Sequence, residues 1–504
     1  MSRHLPLTPA IRANSLIGAL VLSAMVMPAA DVRSWREAHE RQIVAEFTEL
    51  LAIPNIASDR VNIRRNAEFI RKMLERRGAK TRLLEAAGAP PVVYGEIAAP
   101  QSRRTLVFYA HYDGQPVDPK EWDGAPFRPV LRDGVREVSM PAAGGRFNPE
   151  WRMYARSASD DKGTIVAMMA ALDAMRAAGR APAVNLKFFF EGEEEAGSPH
   201  LETIVRTHRD LLGGDVWLIC DGPVHQTRRQ QLYFGARGVT GVDLTVYGPR
   251  RELHSGHYGN WAPNPAMSLA QLLASMKDGD GRITIAGFYD SVEPLSGTER
   301  RALAEAPDND DELRSELWLG GTEGRGRKLV DSIMLPSLNV RGVASGAVGE
   351  QARNVIPATA TASLDIRLVK GLSHQKAFGL LLAHVRKQGW HVVEGEPDAA
   401  TRLRYPRVIR VQKKGGYNAV RTPMDLPAAK QVIETVKAVR GSVALLPTLG
   451  GSVPLYVFEE QLRAPMVGLP IANHDNSQHG SNENLRLQNL WDGIEVMAAL
   501  MGGQ

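Results

Sequence analysis

The sequence predicts an α/β protein in which a mostly parallel-sheet domain is interrupted by an inserted α+β domain. Three observations carry this. Apolar strand-like runs alternate with helical patterns as far as residue 222, the signature of a parallel sheet. Near residue 240 the pattern changes to strict alternation, with Val242, Leu244 and Val246 on one face and Asp243 and Thr245 on the other. The strand and helix pattern of the first part resumes after residue 418. At 504 residues the chain also exceeds one typical core, so two domains are expected. The boundaries read as 1–30 for an N-terminal leader, 31–239 and 418–504 for the two parts of the first domain, and 240–417 for the insertion.

Taken in order, residues 36–53 read as an amphipathic helix ending before Pro54, and 66–80 as a second helix closed by Gly78. Segments 92–98 and 105–113 read as strands, and 114–150 as a loop rich in Gly and Pro. A helix over 164–179 stops at Gly179. The run 185–195 is a strand leading into an acidic loop, 202–212 a helix, and 215–222 a buried strand. In the insertion, 264–277 and 373–389 are helices among alternating strands, and 428–441 is a helix of the returning domain.

Composition is ordinary for a globular protein, with 43% hydrophobic and 23% charged residues. The formal net charge is +5, and the basic residues form no aromatic-interleaved stripe, so no nucleic-acid partner is expected. The densest basic run, 407–416, reads as a solvated strand and turn, and the acidic run 308–312 as an exposed loop or helix start. A single cysteine, Cys220, forbids an intramolecular disulfide and reads as a buried inert thiol. Arg3 and Arg12 precede an apolar run from Leu16 to Met27, followed by Pro28, Ala29 and Ala30. This has the form of a signal peptide, so an exported, periplasmic protein without stable membrane association is expected, with a retained N-terminal anchor as the alternative.

Five short motifs carry metal-binding side chains: His111 in AHYDG, Asp160 in SASDDKG, Glu195 in EGEEEAGS, Asp221 in CDGP and His479 in DNSQHGSNEN. Two imidazoles and three carboxylates make a ligand set for two cations, with one carboxylate left to bridge them. Four of the motifs follow strands or loops of the first domain, where open α/β sheets place their sites. Each is weak alone. His111 reads also as a surface histidine, Asp160 as a helix N-cap, the Glu191–Glu195 run as an exposed acidic loop, and His479 as part of a plain turn. Together each supplies the ligand type the others lack, and the set points to amide hydrolysis with metal-activated water. Asp113, two residues beyond His111 on extended chain, projects on the same side and is placed to hold the second imidazole nitrogen.

The segments AHYDG, ARSASDDKG, EGEEEAGS, CDGP and NSQHGSNEN, in this order, resemble the co-catalytic zinc peptidase family. That family includes acetylornithine deacetylase, succinyl-diaminopimelate desuccinylase, carnosinase-type dipeptidases and glutamate carboxypeptidases. LHSGHYGNWAPNP and GGSVP bring the chain nearest to the carnosinase-type dipeptidase branch. The resemblance implies a zinc-peptidase-like catalytic domain with an inserted dimerisation, or lid, domain. It implies two divalent metal ions per subunit, with Asp160 bridging, His111 and Asp221 completing one site, and Glu195 and His479 the other. Zinc is the default, with manganese or cobalt as alternatives for carboxylate-rich sites. Glu194 becomes the general base, and Asp113 orients His111. His254, supplied by the partner of a homodimer, becomes the oxyanion donor, and Asn354 and Arg367 match positions that hold the substrate, the Arg367 guanidinium suited to its carboxylate with a backbone amide at Gly451 and the Ser452 hydroxyl beside it. The resemblance also implies a cis peptide after Asp160. One departure stands out, because Ala155-Arg156-Ser157 replaces the family's frequent Gly-Arg-Gly and puts the geometry of that loop in question.

The expected activity is hydrolysis of a dipeptide or short peptide next to a free carboxylate. The alternatives are an N-acyl-amino-acid amidohydrolase with the same machinery and, in another class, a noncatalytic binding protein on the same fold. A serine hydrolase and a single-zinc helix enzyme are disfavoured, since neither G-x-S-x-G nor H-E-x-x-H occurs.

Overall fold

The computed structural model describes residues 29–503. Its larger body is built on an eight-stranded sheet. The central strands Thr105–His111, Asn185–Glu191, Val216–Ile219 and Met466–Gly468 run parallel to their neighbours in that group, while Lys80–Leu84 and Val92–Ile97 add an antiparallel edge. The sheet is buried on both faces, which is why its strands read as continuous apolar runs. Leu106, Phe108 and Ala110 enter one core cluster, and Val107 and Tyr109 enter the other. The first cluster lies under helices Ala29–Leu51, Arg60–Arg76, Gly163–Ala177 and Leu487–Met501.

The second helix starts six residues before its expected beginning, because Asp59 caps it by accepting the N–H of Asn62. The first six residues, Arg60 to Arg65, hold only two apolar side chains, Val61 and Ile63, so apolar periodicity is weak there. Segment 114–150 is more ordered than expected. Strands Val130–Asp133 and Arg136–Val138 join Arg152–Tyr154 and Asn484–Arg486 in a four-stranded sheet. Strands of three or four residues among glycines and prolines leave too little alternation to detect.

The chain leaves the larger body through Gly235–Ala236 and re-enters at Val420–Arg421, two short strands paired antiparallel. Gly235 is required there, since a Cβ would lie 1.9 Å from the carbonyl oxygen of Val420. Between them a five-stranded sheet is assembled from Gly238–Tyr247, Ser337–Ala344, Thr359–Leu368, His391–Val393 and Val408–Tyr417. Its pairs are antiparallel except the last two strands. Helices Pro265–Ala274 and His374–Lys387 cover the face that carries Val242, Leu244 and Val246. The strand Ser337–Ala344 is an edge, with Val340 45% and Val343 60% exposed. The acidic run at 308 opens helix Asp310–Glu316, and Cys220 is fully buried. Among the described residues no helix is long and apolar enough to cross a membrane.

Candidate metal centre

The site forms where the central parallel strands end. His111 is the last residue of Thr105–His111, and Asp221 lies two residues beyond Val216–Ile219. Glu194 and Glu195 lie in the turn after Asn185–Glu191, and Asp160 precedes helix Gly163–Ala177. His479 arrives from the loop before Asn484–Arg486, at a positive φ of 62°.

Asp160 is the meeting point. Its Oδ1 lies 2.8 Å from His111 Nε2, and its Oδ2 lies 3.3 Å from His479 Nε2. His479 Nε2 is also 3.2 Å from Glu195 Oε2. Two groups result, His111–Asp160–Asp221 and Asp160–Glu195–His479, each with its ligand atoms within 4.8 Å of one another. Donors spaced this way suit a common cation at bond lengths of roughly 2.0–2.2 Å. The donor chemistry fits as well. Burial, with Asp160 nearby, pushes the Asp221 carboxyl up to about 7, and burial raises Glu194 well above the carboxylate range despite His111. Acids crowded into a desolvated site resist ionising together unless positive charge joins them. Hydrogen bonds to Asp160 and Glu195 raise His479 to about 10, the protein's own partial compensation.

Asp113 is fully buried and acts in two directions. Its Oδ1 lies 3.4 Å from His111 Nδ1 and accepts the N–H of Glu194 at 3.1 Å, while Oδ2 accepts the N–H of Glu195 at 3.0 Å. Only the first contact was foreseen. Gln478 donates to Asp160 Oδ2 at 2.8 Å and Gln115 to Glu195 Oε2 at 2.8 Å. Lys162, fully buried, donates through Nζ to the carbonyls of Leu50 and Ile53 and ties the Asp160 loop to the carboxyl end of the first helix.

The peptide between Asp160 and Asp161 is cis. The departure at Ala155-Arg156-Ser157 is accommodated: Ser157 takes a left-handed conformation at φ 62°, and its hydroxyl accepts a hydrogen bond from Asn55 at 2.8 Å. Gly114 faces that hydroxyl, where a Cβ would sit 2.3 Å from it. Glu483, within NSQHGSNEN, has a part that the motif does not predict. It is fully buried and accepts from Arg156, from Ser159 Oγ and from the backbone N–H groups of Ser157, Ser159 and Asp160. An acid among small polar residues gives no sequence signal of that kind.

Asp160, Glu194, Asp221, Gly451, Ser452 and His479 line a cavity of about 420 Å³. Arg367 donates to Ser452 Oγ at 2.8 Å and to Asp365 at 3.0 Å. His254 and Asn354 are not brought there. They sit together on an exposed ribbon, where Ser255 N–H donates to the Asn354 carbonyl and the His254 ring packs on His257 at 4.4 Å.

Such a centre at the carboxyl edge of a parallel sheet defines a metallopeptidase. The model of peptidase family M20/M25/M40 matches residues 107–502, and the chain belongs to that family, which depends on two metals. It is 27% identical to the Cys-Gly metallodipeptidase DUG1 of Saccharomyces cerevisiae over 483 residues, 91% of this chain and 95% of that one. It is 28% identical to the Beta-Ala-His dipeptidase of Homo sapiens over 422 residues, 81% of this chain and 76% of the other. Among solved structures, the M20 family metallo-carboxypeptidase Sso-CP2 of Sulfolobus solfataricus superposes with a TM-score of 0.73 at 28% identity, covering 91% of this chain and 98% of that one. These matches agree with the carnosinase-type dipeptidase branch.

They also correct the expectation of an exported, periplasmic protein, since the relatives that match along most of the chain are the yeast Cys-Gly metallodipeptidase and the human Beta-Ala-His dipeptidase. The apolar run behind that expectation lies outside the described residues, and Ala29 and Ala30, read as the small residues of a cleavage site, open the first helix.

Proposed function

We propose that this protein hydrolyses the amide bond of dipeptides or short peptides beside a free carboxylate. The observation that carries this is the placement of one carboxylate, Asp160, between His111 and His479. His111, Asp160 and Asp221 would hold one divalent cation, and Asp160, Glu195 and His479 a second, with zinc favoured by the mixed nitrogen and oxygen donors and manganese or cobalt as alternatives. Bound there, a cation pair supplies Lewis acidity toward the scissile carbonyl and toward water.

The remaining work falls to the chain. Glu194 borders the cavity, and burial raises its proton affinity, so it takes a proton from the attacking water and returns it to the leaving amine. Asp113 fixes the Glu194 backbone and the His111 ring together. Arg367 offers its guanidinium to the substrate carboxylate, with Ser452 and the backbone at Gly451 beside it.

His254 and Asn354 then serve the cavity of a second subunit. Their exposure away from their own cavity and the bare edge strand Ser337–Ala344 support a homodimer built through the inserted domain. The names of the dipeptidase relatives favour peptides over N-acyl amino acids. A panel of dipeptides and N-acyl amino acids on zinc-reconstituted protein tests the assignment. Turnover of dipeptides is expected, and turnover confined to N-acyl amino acids would replace the reading with a deacylase.

A further inference from the structure

Glu483 is the most densely hydrogen-bonded acid near the centre, yet it borders neither the cavity nor a candidate cation site. Its side chain is fully buried. Oε2 accepts from Arg156 Nη1 at 2.9 Å and Ser157 N–H at 2.8 Å. Oε1 accepts from Ser159 N–H at 2.9 Å, Ser159 Oγ at 2.8 Å and Asp160 N–H at 3.0 Å. Its own carbonyl accepts the N–H of Ala155 at 3.1 Å, continuing the pairing of Asn484 with Tyr154. A single residue late in the chain thus gathers the main chain around the loop that presents Asp160, and four residues earlier the same segment carries His479.

We propose that Glu483 is a positioning residue for the metal pair, setting the place of Asp160 and, with it, both candidate cation sites at once. The inference rests on the ligand assignment above. Its physical basis is the one-sidedness of the bonding. Every partner is a donor, four of the five donate N–H, and a carboxylate is the only side chain that can accept on both ends. An amide would turn an NH2 group toward at least two N–H donors and leave them buried and unpaired. The loop must then shift, and Asp160 shifts with it. Because Asp160 belongs to both groups, the two sites should weaken together. A purely structural role would lower stability and leave cation affinity alone.

The test uses the full chain with zinc as the probe, titrated against a chromophoric chelator, and cobalt as a spectroscopic reporter. The parent should bind two zinc ions. Glu483→Gln should lose affinity at both sites in parallel, by roughly tenfold to a hundredfold, as supporting partners of metal ligands do, and the cobalt d–d bands should change. Glu495→Gln is the control. That acid is buried in helix Leu487–Met501, pairs with Arg33 at 2.9 Å, belongs to neither candidate cation group, and its replacement should lower the melting temperature without moving zinc affinity. Ser159→Ala removes one hydroxyl donor and keeps every backbone bond. It should shift both affinities in the same direction by a smaller factor, and it carries the test if Glu483→Gln does not fold. Variants that keep the parent's affinities and cobalt spectrum, or that weaken one site alone, overturn the inference while the ligand assignment stands. A parent that binds no zinc removes the ligand assignment, and this inference with it.

Discussion

Asp113 Oδ1 accepts the backbone N–H of Glu194 at 3.1 Å from a side chain that is completely buried. The same oxygen lies 3.4 Å from His111 Nδ1, so one acid locks an imidazole ligand and the turn that carries the proposed base. Replacing Asp113 by Asn turns an NH2 toward an N–H or toward the imidazole. Zinc affinity should fall by roughly tenfold or more, and turnover at saturating zinc should fall as well, because Glu194 moves. Chelator competition combined with kinetics at saturating zinc separates the two losses. A variant that recovers full turnover once zinc is saturating would limit Asp113 to the imidazole.

Glu194→Gln keeps the shape of the side chain and removes its proton-accepting capacity. It should retain both metals and lose roughly a hundredfold to ten-thousandfold in kcat. Elemental analysis and steady-state kinetics on the same preparation check this, and near-parent turnover would take Glu194 out of the base role.

Asp160→Ala removes the carboxylate shared by both groups. Loss of both metals is expected, where Asp221→Ala or Glu195→Ala should spare one site in part. A preparation of Asp160→Ala still holding two metals per chain would contradict a bridging role.

His254 is exposed and outside its own cavity, so His254→Ala should fold, dimerise and turn over very slowly. Mixed with Asp160→Ala under conditions that exchange subunits, it should regain activity in heterodimers, since one site then has both groups intact. Verified heterodimers without recovery would mean that each site is complete within one chain.

Asp475 bears on stability against pH. Burial opposes its charge, but hydrogen bonds from Arg152 and Asn473 hold its carboxyl down to about 2. A carboxylate depressed in the folded state contributes stability above its unfolded pKa of about 3.9 and loses it as pH falls toward 2. Asp475→Asn should therefore lower the melting temperature at pH 7, and the gap to the parent should close as pH drops below 4. Asp475 is 39% exposed on its side chain, so the effect is on the order of 1 kcal/mol or less. A gap that widens in acid would reverse the sign of this linkage.

Asp160 and His479, among small polar residues, were legible only as members of the set. The other three ligand motifs were legible because His111, Glu195 and Asp221 follow apolar runs, which survive as patterns in the sequence. The long, strongly periodic helices were legible for the same reason. The sheet containing Val130–Asp133 was hidden by its short strands, and the sparse apolar residues over Arg60–Arg65 concealed the start of helix Arg60–Arg76. Glu483 and the paired amides on Asp113 left no trace, because backbone hydrogen bonds have no residue type.

The order and chemistry of the side chains alone determined the α/β class, the inserted domain and the supply of two imidazoles and several acids. Tertiary structure alone decided that Asp160 turns one oxygen to His111 and the other to His479, two histidines 368 residues apart in the sequence. It also decided that His254 stands away from its own cavity. Periodicity reports which face of an element is apolar. Which loops converge at the strand ends depends on sheet order, set by packing between segments hundreds of residues apart.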